Sequence, residues 1–297
     1  MHQNLGLDHI FVFGDRMIHY TQPMTPVLKW AGGKKQLLTA IRSMLPAEYD
    51  CYYEPFVGGG AVLFSVAPRK AVINDINTQL VNLYRQLQGA PEQIIEYVNI
   101  LDAVHCDKDY YLSMRQKYNR KISANELDAE CAALMIWINK HCFNGLYRVN
   151  RKGLFNVPYN NKSIGRSIDE NNIRSIGEYL QKSDITMTCS DFEEVCRHVK
   201  PNDFVYFDSP YVPESKTADF TSYSRGGFEM ADHERLARLF KRLDQIGAKL
   251  MLSNNDVEIV RELYCDYRIT HLDVKRMINC DATKRNGKEV IITNYIV

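Results

Sequence analysis

The apolar run Val205-Tyr206-Phe207 is broken by Asp208-Ser209-Pro210-Tyr211. Pro210 locks its own φ and pushes Ser209 into an extended conformation, so the break is a defined turn. Asp208 then falls at the carboxyl edge of a buried strand, with Tyr211 three residues on. A carboxylate acceptor and an aromatic ring on one pocket lip suit an exocyclic amine carried by a planar base. Tyr211 would stack on the base. Asp208 and the Ser209 carbonyl would accept hydrogen bonds from the NH2 group and turn the nitrogen lone pair towards a methyl group. A base taking part in such chemistry must leave the duplex stack.

Two glycine-containing turns could hold the partner reagent. Glu54-Pro55-Phe56-Val57-Gly58-Gly59-Gly60 follows a strand-like run and opens a helix. Glycine there permits positive φ and close approach of a ligand to the backbone. Asp75 follows Gly58 by 17 residues, where a carboxylate can accept from ribose hydroxyls. On this feature alone, a dinucleotide-dependent oxidoreductase and a purely structural turn remain open. The second turn, Leu28-Lys29-Trp30-Ala31-Gly32-Gly33-Lys34, joins a large ring, glycines and the cations Lys29, Lys34 and Lys35. That mixture suits a ligand with an aromatic base and a carboxylate. S-adenosylmethionine has both, and its sulfonium favours nearby acids or aromatic faces. Asp191 and Phe192 add an acid and a ring after another strand-like run; the other reading of Ser190-Asp191 is a helix N-cap ahead of Glu193-Glu194.

A macromolecular substrate needs its own surface. The formal net charge is only +1, yet Lys140, Arg148, Arg151, Lys152, Lys162 and Arg166 fall in one stretch with no Asp or Glu between them. Phe143, Tyr147, Phe155 and Tyr159 interleave it. Lys and Arg neutralise phosphates, while Asn and Arg can read base edges. Arg151-Lys152-Gly153, between alternating residues, predicts a β-hairpin able to enter a groove; a solvated basic loop is the alternative. His141 could reach a phosphate, whereas His105, His198 and His271 read as ordinary surface or core histidines. A second basic segment, Lys275-Arg276 and Lys284-Arg285 with Lys288 around Asn286-Gly287, reads equally as a loop over the site or a solvated hairpin.

Strand-like runs at Tyr52–Phe56, Ala71–Asn74, Thr186–Cys189, Phe204–Phe207, Lys249–Ser253 and Val290–Tyr295 must position these residues. Helix-like stretches Lys35–Leu45, Ala61–Val66 and His233–Leu243 separate several of them, which predicts an α/β fold on a parallel sheet. Between about Thr78 and Asn139 the alternation gives way to helical periodicity. We therefore expect a catalytic domain over 26–77 and 167–297, a mainly helical insert with a β-hairpin over 78–166, and an extension, 1–25, of no assigned role. The stripe from Leu80 to Leu101 reads as helix core. In open α/β sheets, ligands sit beyond the carboxyl ends of the strands.

Of the 297 residues 45% are apolar, ordinary for a folded soluble protein. The eight cysteines include no C-x-x-C pair, so free thiols in a reducing cytosol are expected and a metal site is not. No apolar run is long enough to span a membrane, and the first residues lack a signal-peptide pattern. A cytoplasmic monomer follows as the expectation.

The ordered set LKWAGGKKQLL, YEPFVGGG, INDIN, FNGLYRVNRKGLFNVPY, YFDSPYVP, FTSYSRGGF and MLSNN resembles the Dam-type, α-group family of adenine-N6 DNA methyltransferases, from about Pro26 to Val297. The resemblance implies a Rossmann-like S-adenosylmethionine-dependent methyltransferase sheet with helices on both faces, double-stranded DNA as partner, and direct methyl transfer without metal or covalent intermediate. It implies Asp208, Ser209, Pro210 and Tyr211 as the catalytic tetrapeptide. Trp30, Gly32, Lys34, Glu54, Phe56, Gly58, Asp75, Asp191, Phe192 and Asp208 become candidate cofactor residues. Phe143, Asn144, Leu146, Arg148, Arg151, Lys152, Pro158 and Tyr159 become candidate DNA contacts, with GATC the expected target. The family tetrapeptide is Asp-Pro-Pro-Tyr; Ser209 replaces its first proline, keeping the carbonyl and losing rigidity. Cytosine-N4 methylation, associated with Ser-Pro-Pro-Tyr, and a non-catalytic DNA-binding relative are the alternatives.

Overall fold

A computed structural model describes residues 23–30, 32–34, 36–162, 165–213, 227–275 and 286–296. Lys35, Arg276, Lys284, Arg285, most of the 1–25 extension and most of FTSYSRGGF lie outside the described residues.

Seven strands form one sheet: β1 (Tyr52–Glu54), β2 (Lys70–Asn74), β3 (Asp184–Thr188), β4 (Phe204–Phe207), β5 (Lys249–Asn255), β6 (Arg268–Lys275) and β7 (Asn286–Thr293), in the order β3-β2-β1-β4-β5-β7-β6. The first five run parallel; β7 is antiparallel to both β5 and β6. The expectation of a parallel sheet thus needs correcting at one edge. Strand β6 escaped the sequence reading because Arg268-Ile-Thr-His-Leu-Asp-Val-Lys275 intersperses three apolar residues among polar ones rather than forming an apolar run. That mixture is normal for an antiparallel strand at a sheet edge.

Successive residues of a strand point to opposite faces. Phe204 and Tyr206 join Tyr52, Met251 and Ile291 in one core. Val205 and Phe207 join Leu250, Leu252, Val290 and Ile292 in another. The first face is covered by α1 (Leu38–Ser43) and α2 (Ala61–Val66) through Ile41, Leu63 and Phe64. The second is covered by α8 (Phe192–Val195), α9 (Met230–Ile246) and α10 (Glu258–Leu263) through Phe192, Leu236, Phe240 and Val260. A sheet with both faces packed explains why β4 is buried at every position.

Between β2 and β3 lie α3 (Thr78–Gly89), α4 (Pro91–Asp102), α5 (Lys108–Ala124), α6 (Ala129–His141) and α7 (Glu170–Lys182). Helix α6 is apolar almost all round and is packed by α3, α4 and α5, so it is the axis of this region. Its Trp137 belongs to the same continuous core as Tyr52 and Tyr206 of the sheet. The stripe from Leu80 to Leu101 is core, as read. Among the described residues no helix is long and apolar enough to cross a membrane.

Candidate active site and nucleic-acid interface

The strand order reverses direction between β1 and β4, whose carboxyl ends open a crevice. The glycine turn leaves β1 on one side of it, and Asp208-Ser209-Pro210-Tyr211 leaves β4 on the other. Lys34 Nζ lies 2.6 Å from Asp208 Oδ1 and 2.6 Å from the Gly32 carbonyl. The same ammonium sits 4.4 Å from the centre of the Tyr211 ring. Ser253 Oγ donates to Asp208 Oδ1 at 3.2 Å and shares a 2.9 Å hydrogen bond with the Tyr206 hydroxyl. Both partners hold Oδ1; among the described residues none reaches Oδ2. Burial raises the Asp208 pKa above the usual carboxylate range, while Lys34 and Ser253 pull against that rise without cancelling it.

Tyr211 is fixed at its far end, where its hydroxyl donates to Glu289 Oε2 at 2.9 Å. The next residue is clamped from β5: Asn254 Oδ1 accepts from the Val212 amide and Asn255 Nδ2 donates to the Val212 carbonyl. Among the described residues Ser209 makes no side-chain hydrogen bond. Its hydroxyl is buried and unpartnered among the described residues.

Asp75 follows β2 directly and accepts from the amides of Gly58 (3.1 Å) and Asn77 (2.8 Å), which ties the acid to the glycine turn. Burial lifts its pKa to about 6 against the pull of those amides. Gly58 has φ +50°, and a Cβ there would lie 3.0 Å from the Trp30 ring, so any side chain would displace Trp30. Trp30 stacks in turn on Tyr147 (5.1 Å). A partly buried carboxylate, a backbone cradle open only to glycine and a fixed indole fit S-adenosylmethionine. Ile76, beside Asp75, is 59% exposed and sets an apolar surface next to that acid.

The remaining cofactor candidates are placed differently. Glu54 is buried beneath the turn, accepts from the Tyr52 hydroxyl at 2.7 Å and is held well above its usual pKa by desolvation. Asp191 caps α8 through the Glu193 amide and pairs with Arg235, as its N-cap reading had it. Phe56 packs on Phe192 (5.3 Å) and Phe228 (5.8 Å), and Arg235 lies over the Phe192 ring.

On the other wall, the basic segment does form a short hairpin. Val149 bridges Phe155, and Asn150 caps the turn by accepting from the amides of Lys152 and Leu154. Arg148, Arg151, Lys152 and Pro158 face solvent, as do Phe143, Asn144 and Leu146 on the approach to it. Arg148 Nε donates to Asn156 Oδ1 on that outer face. The interleaved aromatics mostly do not belong to this surface. Tyr147 and Phe155 are buried, and Tyr159 packs on Tyr111 with its hydroxyl bonded to the Cys106 carbonyl, so Phe143 alone among them is exposed. His141 is also turned inward, stacked on Trp137 and bonded to Ser167, which corrects the phosphate reading.

Two walls become one site through Asn139. Its amide accepts from the Lys29 N–H (2.9 Å) and donates to the carbonyls of Lys29 (3.0 Å) and Gly145 (2.9 Å). Gly145, at φ +64°, lets the chain pass so close that a Cβ would lie 2.6 Å from the Lys29 stem. Lys29 therefore abuts the loop before the basic hairpin as well as belonging to the first glycine turn. Nothing in the sequence singled out Asn139, Ser253 or Glu289, because their roles depend on partners between 6 and 110 residues away. Among the described residues no group of three or more His, Cys, Asp or Glu could hold a metal ion.

Similarity to known proteins identifies the family of this chain. The chain is 42% identical to the Type II methyltransferase M1.LlaDCHI of Lactococcus lactis subsp. cremoris, over 92% of this chain and 96% of that one. It is 40% identical to the Type II methyltransferase M.MjaIII of Methanocaldococcus jannaschii, over 91% and 99% respectively. It is 31% identical to a DNA adenine methylase of Serratia marcescens, over 90% and 97%. The family model of the D12 class N6 adenine-specific DNA methyltransferases matches residues 30–278, and the chain belongs to that family.

Proposed function

We propose that this chain transfers the methyl group of S-adenosylmethionine to N6 of an adenine flipped out of duplex DNA, with GATC as its target. The observation that carries the reading is the pairing of Asp208 with Tyr211 across the crevice from the Asp75–Gly58–Trp30 cradle. Aspartate at the first tetrapeptide position favours adenine over cytosine N4. When bound, the cofactor supplies an electrophilic methyl group.

The protein's share is positioning and desolvation. Trp30, Gly32, Lys34, Phe56, Gly58, Asp75 and Phe192 would bound the donor. Tyr211, held by Glu289, would stack on the base. Asp208 Oδ2 and the Ser209 carbonyl would accept from the amine and turn its lone pair towards the methyl carbon. No strong base is needed, because the nitrogen becomes acidic only after methylation. Lys34 and Ser253 orient Asp208 and favour its charged form against burial, which favours the neutral acid.

The test is incubation with labelled S-adenosylmethionine and duplexes with or without GATC, followed by mass spectrometry of the nucleosides. N6-methyladenine confined to GATC duplexes is expected. Methyl on cytosine, or on no base, would overturn the activity; N6-methyladenine in another sequence would overturn the target alone. Asp208→Ala should abolish transfer while retaining DNA affinity.

A further inference from the structure

The recognition hairpin is short. Its strands are joined at the bridge Val149–Phe155, where the Asn150 amide donates to the Leu154 carbonyl at 2.8 Å and the Asn156 amide to the Arg148 carbonyl at 3.2 Å, and again at the bridge Cys142–Tyr159 further out. An isolated two-stranded hairpin is marginal in water. Its residues alternate strictly: Phe155 and Val157 are buried, whereas Arg148, Asn156 and Pro158 look outward to different degrees. A slip of one residue would exchange these faces and carry Arg148 away from its place.

Helix α5 supplies the missing strand-like partner. Asn119 Nδ2 donates to the Phe155 carbonyl at 2.9 Å and Asn119 Oδ1 accepts from the Phe155 amide at 2.9 Å. One side chain thus satisfies both backbone groups of one residue, as a neighbouring strand would. One turn back, Arg115 donates to the Val157 carbonyl at 3.0 Å; a further turn back, the Tyr111 hydroxyl donates to the same carbonyl at 2.8 Å. Residues 111, 115 and 119 recur at the helical interval, so they form one row on α5. The distance between Phe155 and Val157 along the hairpin is read by that row, and only one register satisfies it.

We propose that Asn119, Arg115 and Tyr111 are positioning residues that set the DNA-sequence discrimination of this enzyme without touching DNA, by locking the hairpin register that presents Arg148 to the groove. Arg115 adds to this lock by donating one guanidinium N–H to the Val157 carbonyl. This proposal rests on the proposed function only in taking the hairpin as the DNA-reading element.

Selection of bound duplexes from a randomised pool, followed by competition between the selected site and its single-base-pair variants, tests the proposal well below the melting temperature and independently of catalysis. Asn119→Ala should lower the preference for the selected site by about tenfold, the typical penalty of one mismatch, with S-adenosylmethionine affinity unchanged. Tyr111→Phe keeps the ring and loses only the hydroxyl bond, so it folds even if Asn119→Ala does not; a smaller relaxation at the same base pairs is expected. Wild-type discrimination in Tyr111→Phe and in any folded Asn119→Ala protein would overturn the proposal. A wild-type chain that enriches no sequence would instead overturn the sequence-specific function itself, and relaxed discrimination accompanied by equal loss of cofactor affinity would show general destabilisation in place of register control.

Discussion

Ser209 is the one member of the tetrapeptide whose side chain works against the fold. It is 2% exposed, its hydroxyl is unpartnered among the described residues, and the family places proline there. A buried hydroxyl without a partner costs about 1–3 kcal/mol. Ser209→Ala should therefore stabilise the apoprotein by roughly 1 kcal/mol, the lower end of that range. Ser209→Pro removes the hydroxyl and also restricts the unfolded chain, worth about 0.4–1 kcal/mol more where the native φ suits proline. The extended bias imposed on Ser209 by Pro210 is compatible with such a φ. The sum is about 1.4–2 kcal/mol. For a chain somewhat longer than those that gain about 2–4 °C per kcal/mol, it corresponds to roughly 3–4 °C in Tm. Thermal unfolding of the two variants against the parent measures this directly. Initial rates at saturating S-adenosylmethionine should rise for Ser209→Pro, because the carbonyl offered to the amine is held more rigidly. A Ser209→Ala protein melting at or below the parent would refute the reasoning, since the hydroxyl would then have a partner. A stabilised but slower Ser209→Pro would refute the rigidity argument alone.

Three other perturbations address separate parts of the site. Ser253→Ala removes a donor to Asp208 Oδ1, so the carboxyl pKa should rise further and the acid limb of the kcat/KM profile should move to higher pH; an unmoved limb would exclude Ser253 from holding Asp208 ionised. Donor affinity should fall as pH drops through about 6, because protonated Asp75 loses part of its acceptor capacity, and Asp75→Asn should show no such limb in a calorimetric titration. Arg148→Ala should relax discrimination at one base pair by about 1–3 kcal/mol, whereas Lys152→Ala should weaken all duplexes alike and reduce the salt slope by about 1; a gel-shift series over salt and sequence separates the two.

The alternation of short apolar runs with helices, and its interruption after Thr78, were readable from composition and period alone, because burial on both faces of a sheet demands apolar residues in sequence. The tetrapeptide and the glycine turn were readable for a related reason: a sharp turn at a strand end requires Gly or Pro, and their spacing is local. The acid-free stretch from Lys140 to Arg166 likewise announced a charged surface, and the hairpin followed from its turn residues. Strand β6 was not readable, since an antiparallel edge strand mixes polar and apolar residues like a solvated loop. Nor could the sequence say which aromatics of the basic segment point outward. Tyr147, Phe155 and Tyr159 have the same composition as a stacking surface, but period-two alternation and the packing of α5 and α6 turn them inward. Tertiary structure alone decided that Lys34 and Ser253 share one oxygen of Asp208, that Glu289 holds Tyr211, and that Asn139 joins Lys29 to Gly145. These side chains act through partners far away in the chain, and a one-dimensional pattern has no term for such a distance.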